Sequence, residues 1–256
     1  MSEPSAIGVI PARYGSTRFP AKILHPLAGR PLIQWVVERA LQARRLSAVL
    51  VATDDERIAR AVEGTGATAV MTRADHPSGT DRIAEAVAGR SEPVIINVQG
   101  DEPFMDPALI DRLAEVMAAD PTLDMATAAV LIEREEELRD PSVVKVVTRH
   151  DGTALYFSRA PIPHFRDIPA AEAIQRGLHR RHLGVYAYRR DFLLRVIAQP
   201  PSPLEEAEKL EQLRALQMGC RMAVLESAPL GPGIDTPQDA IRAEPLLLAL
   251  RKGSPS

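Results

Sequence analysis

The chain has 256 residues, 45% hydrophobic and 25% charged, with a formal net charge of -3. That length suits one large α/β domain or two small ones, and the near-neutral balance gives no sign of a nucleic-acid or membrane-surface protein. A single cysteine, Cys220, excludes an intrachain disulfide and a multi-cysteine zinc site and fits a reducing setting, while the sequence shows neither a signal peptide nor a transmembrane run.

The first working stretch is IGVIPARYGSTRFPAK, Ile7 to Lys22. Ile7 to Ile10 reads as a short buried strand, β-branched and bounded by Pro11. The loop after it carries Arg13, Arg18 and Lys22, and Gly15, Ser16 and Thr17 can turn tightly with free backbone N–H groups. Such a loop can wrap a polyphosphate. It matches neither GxGxxG nor GxxxxGK[ST], and a solvated strand-to-helix loop is the plain alternative. Gly29-Arg30-Pro31 then opens a helix with Leu32, Val36 and Ala40 beside Ile33, Val37 and Leu41, and Trp35 packs near that apolar face.

Ala48 to Ala52 is the next strand, and Asp54 and Asp55 stand before a helix closing at Gly64 and Gly66, where capping is preferred over metal binding. Ala67 to Met71 forms a third strand that leads into TRADHPSGTDR, with Arg73, His76, Ser78, Gly79 and Thr80 in a polar loop. Loops at the carboxyl ends of strands in open α/β sheets are where ligands sit. Pro93 to Val98 is the most continuous apolar strand and runs into Gln99-Gly100-Asp101-Glu102-Pro103. A carboxylate on the end of a rigid strand suits a divalent cation, which makes Asp101 the first metal candidate. A simple turn before Pro103 explains the same residues. Asp106-Pro107 reads as an N-cap and first helical residue ahead of Ile110, Leu113 and Met117.

Met125 to Ile132 is a further strand, followed by a charged helix edge. Val143 to Thr148 and Thr153 to Ser158 flank Asp151-Gly152, a hairpin signal. Residues 143–200 are therefore expected to be an antiparallel subregion, a substrate cap or dimer surface, within one domain spanning 1–256. In it, SRAPIPHFRD holds Arg159, His164 and Arg166, and alternation in RHLGVYAYR places His182, Gly184, Tyr186 and Tyr188 on one face. Arg, His and Tyr gathered this way suit a polyhydroxy acid, although a lone strand His is commonly structural. One helix is expected over Leu204 to Gly219, with Glu205, Glu208, Glu211 and Gln212 on its solvated side. Cys220 to Leu225 is another strand. Asp235 or Thr236 caps the closing helix, which Pro245 should interrupt or kink, and Asp235 is a second carboxylate that could meet Asp101 across one Mg2+.

Taken together, these residues predict an α/β nucleotide-type fold with a phosphate loop, and they name no nucleotide. Across nearly the whole chain, IPARYGSTRFPAK, MTRADHPSGTDR, NVQGDEP, VKVV, ALYFSRAPIP, RHLGVYAYR, LEQLR and GIDTPQD resemble, in order and spacing, the bacterial sugar-activating cytidylyltransferases, and within them the CMP-Kdo synthetases. The resemblance implies a Rossmann-like nucleotide-diphospho-sugar transferase fold with a mixed, mostly parallel central sheet and an inserted antiparallel sugar-binding and dimerisation subregion. It further implies transfer of CMP from CTP to 3-deoxy-manno-octulosonate (Kdo), Mg2+ as cofactor, a cytoplasmic homodimer, and a place in lipopolysaccharide biosynthesis.

By matching motif, the resemblance puts Arg13, Arg18 and Lys22 on the triphosphate, and Gln99, Gly100, Arg73, Ser78, Gly79 and Thr80 around the cytidine. Asp101 and Asp235 would hold Mg2+, and together with Arg13 and Lys22 they form the catalytic set. Gln99, His182, Tyr186, Glu211, Gln212 and Arg159 would position the sugar acid. Three positions depart from the family pattern: Ala21 stands where Gly is usual, Arg30 where Lys is common, and GPGIDTP where GTGVDTP is typical. A related sugar acid, such as an amino-substituted Kdo or sialic acid, and a non-catalytic nucleotide-binding protein are the other readings.

Overall fold

The structure is a computed structural model that describes residues 6–15 and 19–253. Its contacts divide it into two compact units: residues up to Ala118 together with Leu230 onward, and Ala119–Pro229.

The first unit is built on parallel strands. Strand β1 (Ala6–Ala12) is followed by a short 3-10 turn at Lys22–Leu24, a two-residue ribbon of β2 (Pro26–Leu27) and β3 (Arg30–Pro31), and helix α1 (Leu32–Leu41). Then come β4 (Leu46–Thr53), α2 (Glu56–Val62), β5 (Thr68–Met71), α3 (Gly79–Ala86), β6 (Val94–Asn97) and α4 (Pro107–Ala119). β1 pairs in parallel with β4 and with β6, and β4 with β5. Ile7, Val9, Ile10, Ile95 and Ile96 are fully buried, so these strands read as continuous apolar runs rather than alternating ones. Trp35 is buried as expected, donating from Nε1 to the Leu27 carbonyl at 2.9 Å, with the Arg30 guanidinium 3.6 Å over its ring. Pro31 is the N-cap of α1.

The second unit contains β7 (Met125–Leu131), α5 (Glu135–Arg139), β8 (Lys145–Thr148), β9 (Ala154–Ser158), α6 (Ala170–Gln175), β10 (Arg180–Arg189), α7 (Arg190–Ile197), α8 (Pro203–Glu208), α9 (Gln212–Gln217) and β11 (Met222–Glu226). β7 pairs in parallel with β11 and antiparallel with β10, and β8 pairs antiparallel with both β10 and β9. Pairing of the main strands is thus mixed and mostly parallel, and the β8–β9 hairpin turns at Asp151-Gly152, with Gly152 at φ 79°.

The first unit is completed by α10 (Pro237–Gly253). Pro245 lies inside α10 without interrupting it. The carbonyl it cannot pair belongs to Ile241, a residue that is 73% exposed. The single helix expected over 204–219 is two: Lys209 sits in the left-handed region at φ 53° and separates α8 from α9. Among the described residues no helix is long and apolar enough to cross a membrane.

Ala21 is also left-handed, at φ 55° and ψ 24°, where it precedes the turn that carries Lys22. An L side chain is disfavoured there, and glycine is not. Replacing Ala21 by Gly should therefore stabilise the fold by about 1 kcal/mol, roughly 2–4 °C in Tm for a chain of this size. Thermal unfolding of Ala21→Gly beside the parent checks this, and an unchanged or lower Tm would contradict it.

Candidate active site

In the first unit, residues from distant parts of the chain meet around one ammonium group. Lys22 Nζ lies 2.6 Å from Asp101 Oδ2 and 3.0 Å from Asp235 Oδ1. The Lys22 side chain is 11% exposed, whereas those of Asp101 and Asp235 are 31% and 50% exposed. Burial alone would depress the Lys22 pKa, but the charges and hydrogen bonds of the two carboxylates outweigh it and hold the pKa above its ordinary value. Lys22, expected on the triphosphate, is here shared by the two candidate metal carboxylates.

Local packing explains how Asp235 arrives there. The Ile234 N–H donates to the Asp101 carbonyl at 2.9 Å, and Gly231 lies so close to the Phe104 ring that a Cβ would collide with it. Thr236 caps α10, its Oγ1 accepting from the Asp239 N–H at 3.2 Å, while the Asp239 carboxylate accepts from the Thr236 N–H at 2.9 Å. Capping thus falls to Thr236, and the Asp235 side chain turns to Lys22. Gly100 makes the other close approach: a Cβ there would sit 3.0 Å from the Pro11 carbonyl.

The remaining nucleotide candidates surround the same strand ends. Arg13 is exposed directly after β1, and Arg18 lies outside the described residues. Gln99 donates to Asn97 Oδ1 at 3.2 Å. Ser78 is the N-cap of α3, accepting from the N–H groups of Thr80 and Asp81, and a Cβ at Gly79 would sit 3.6 Å from the Pro11 ring. Arg73 is exposed, with Asp75 and Glu85 as ion-pair partners, and His76 bonds Glu85. Asp55 caps α2, the role favoured from the sequence, whereas Asp54 does not cap it and instead pairs with Arg82 at 3.2 Å.

In the second unit, the sugar-acid candidates cluster on and beside β10. Two extra residues, Gly184 and Val185, interrupt its register with β7, leaving the alternation in phase. The His182 and Tyr186 rings lie 5.2 Å apart and the Tyr186 and Tyr188 rings 5.9 Å apart, with Phe157 edge-on to His182 at 5.1 Å. Thr127 Oγ1 bonds His182 Nε2 at 2.9 Å and donates to the Val185 carbonyl at 2.7 Å. A hydroxyl has one proton, so this network assigns the imidazole proton to Nε2 and leaves Nδ1 as an acceptor. Desolvation pushes the His182 pKa down to about 3. Burial, then Tyr188 and the nearby Glu211 charge, raise the Tyr186 phenol well above its ordinary value. Gln212 is buried, and Arg159 donates to the carbonyls of Glu208, Pro141 and Lys209.

Sequence reasoning missed Thr127, Asn97, Lys145 and Glu208. Lys145 was visible as the one charge in an apolar VKVV run, whereas Thr127 gave no signal within its strand.

Two carboxylates with hard oxygen donors, partly open to solvent and already gathered round a cation, fit a divalent ion of the Mg2+ kind. Such an ion commonly takes one or two protein carboxylates and completes its shell with water and substrate phosphates. Among the described residues there is no group of three or more His, Cys, Asp or Glu able to hold a metal.

The sequence model of the family described as Cytidylyltransferase matches residues 7–223. The 3-deoxy-manno-octulosonate cytidylyltransferase of Syntrophotalea carbinolica is 49% identical over 250 residues, covering 96% of this chain and all of that one. Its counterpart from Geobacter sulfurreducens is 50% identical over 236 residues, covering 90% and 94%. A solved CMP:2-keto-3-deoxy-manno-octonic acid synthetase complexed with CTP superposes with TM-score 0.90 at 43% identity, covering 97% of this chain and 100% of that chain. A cytidylyltransferase from Leptospira borgpetersenii, with TM-score 0.60 at 14% identity over 98% of each chain, shares the fold. The fold and these matches define a nucleotidyltransferase of the cytidylyltransferase class. More narrowly, the chain belongs to the family of 3-deoxy-manno-octulosonate cytidylyltransferases.

The depressed pKa of His182 has a consequence for stability. A neutral imidazole in the fold, against an ordinary pKa of 6.5 when unfolded, contributes stability above about pH 6.5 that is lost as pH falls toward 3. The drop in Tm between pH 7 and pH 5 should therefore be smaller in His182→Gln than in the parent. Equal drops would show that His182 does not titrate this way.

Proposed function

We propose that the chain transfers CMP from CTP to the anomeric hydroxyl of 3-deoxy-D-manno-octulosonate, giving CMP-Kdo and pyrophosphate. The observation that carries this reading is the Lys22–Asp101–Asp235 cluster, gathered from three segments of a chain in the matching family. In the proposed assignment Arg13, Arg18 and Lys22 serve the triphosphate, and Gln99, Gly100, Arg73, Ser78, Gly79 and Thr80 the cytidine. Asp101 and Asp235 would hold Mg2+, which when bound supplies charge neutralisation at the phosphates. The chain's own contribution is to position the reactants and to keep fixed charges where negative charge builds up.

The sugar acid is assigned to Gln99, His182, Tyr186, Glu211 and Gln212. His182 Nδ1 would accept from a sugar hydroxyl and Tyr186 would donate to one, both remaining uncharged at neutral pH. Arg159, whose guanidinium serves three carbonyls, supports this group rather than meeting the ligand first. Residues 143–200 are proposed as the sugar-binding and dimerisation subregion of a single cytidylyltransferase domain, in a cytoplasmic homodimer that supplies activated Kdo for lipopolysaccharide.

Pyrophosphate release from CTP with Mg2+, across Kdo, amino-substituted Kdo and N-acetylneuraminate and with ATP and UTP as controls, tests the reading. Release is expected with CTP and Kdo. Release with another acid would reassign the sugar site, and silence with all would overturn transfer. Asp101→Asn should lower kcat by roughly a hundredfold or more while leaving Tm within a few degrees, since it removes one of the two carboxylates assigned to Mg2+. Near-parental turnover in that variant would remove Asp101 from the catalytic set.

A further inference from the structure

Glu208 is not among the residues assigned to substrate, yet three backbone or side-chain donors converge on it. Ser158 Oγ donates to Oε1 at 2.6 Å, the Arg159 N–H donates to Oε2 at 2.9 Å, and Arg159 Nε donates to the Glu208 carbonyl at 2.7 Å. The same guanidinium reaches the Lys209 carbonyl at 3.4 Å and the Pro141 carbonyl at 2.9 Å. Beneath it, the fully buried Lys145 ammonium donates to the carbonyls of Arg159 at 2.5 Å, Val143 at 2.6 Å and Asp140 at 2.9 Å. The end of β9 is thereby tied on one side to 140–143 and on the other to the last turn of α8.

That last turn leads directly into the left-handed Lys209 and then Leu210, Glu211 and Gln212. The far side of the elbow is held independently. Arg214 makes a two-pronged pair with Glu205, 2.8 Å at each contact, and donates to the carbonyls of Val196 and Gln199. Glu211 and Gln212 therefore stand between two charge-assisted anchors, with the Glu208 anchor three residues before Glu211.

We propose that Glu208 is a positioning residue for the sugar-acid half of the reaction: it locks the α8–α9 elbow to β9 and thereby fixes Glu211 and Gln212. Lys145 acts behind it by fixing the Arg159 backbone whose N–H Glu208 accepts. The proposal rests on the assignment of Glu211 and Gln212 to the sugar acid. Removing the hydrogen-bonded partner that orients a metal-ligating side chain typically costs roughly 10–100-fold in affinity or activity, and an effect at the low end of that range is expected here.

The test uses the full-length chain and two variants, Glu208→Ala and Glu208→Gln. KM for Kdo should rise about tenfold in Glu208→Ala, with KM for CTP within about twofold of the parent. Glu208→Gln, which still accepts from Ser158 or Arg159, should recover most of the loss. Hydrogen exchange is the second readout: amides of 208–214 should exchange faster in Glu208→Ala, while those of β1 and β6 should not. Unchanged exchange in the elbow overturns the brace whatever the activity. Faster exchange with an unchanged KM for Kdo, or with equal rises in both KM values, overturns the positioning role. If the parent itself releases no pyrophosphate with CTP and Kdo, the functional reading fails, and the exchange experiment still decides the brace.

Discussion

Strand direction constrains everything in the first unit. Because β1, β4, β5 and β6 are mutually parallel, their carboxyl ends lie along one edge, and the segments leaving them must begin there. Arg13, Asp54, the loop from Thr72 to Ser78, and Gln99 to Asp101 are therefore neighbours by topology before any side-chain contact is made. Side-chain chemistry then sorts them. Asp54 is neutralised by Arg82 and Asp55 is spent on a helix cap, which leaves Asp101 as the acid at this edge joined by a second carboxylate across one ammonium.

Two carboxylates brought together repel, and the cost grows as water is withdrawn. Lys22 is the countercharge that permits the approach, and its raised pKa records how strongly it is held. Its turn is preceded by a left-handed alanine, so the backbone accepts an unfavourable φ to deliver that ammonium. Oxygen atoms of both carboxylates stay partly open to solvent. Such a patch is suited to a hard cation and unsuited to an unaccompanied phosphate.

The strands of this unit were legible because burial on both faces leaves uninterrupted β-branched runs such as VIINV, and Asp101 was legible because it ends such a run. Its pairing with Asp235 was not legible from spacing. It depends on Gly231 passing against Phe104 and on Thr236 taking over the cap, neither of which has a periodic signature. In the second unit the face shared by His182, Tyr186 and Tyr188 followed from alternation, and the extra pair Gly184-Val185 did not disturb it. The 204–219 segment failed for a different reason. Hydrophobic patterning separates polar from apolar side chains but not exposed polar from paired polar ones, so the buried Glu205 and Gln212 looked like a solvated stripe. Lys145 stood out as a charge in an apolar run, but its three carbonyl partners are invisible in the primary structure.

The charge states in the second unit narrow what its polar row can recognise. His182 is held neutral and Tyr186 is held protonated, each by desolvation, and Glu211 contributes the nearby negative charge. Beside this row the Arg159 guanidinium is occupied by carbonyl groups and Arg214 is closed in its pair with Glu205. Hydroxyl groups would meet matched partners: an imidazole nitrogen that accepts, a phenol that donates and a carboxylate that accepts. In the proposed assignment, therefore, the polyhydroxy part of the sugar acid meets His182, Tyr186 and Glu211.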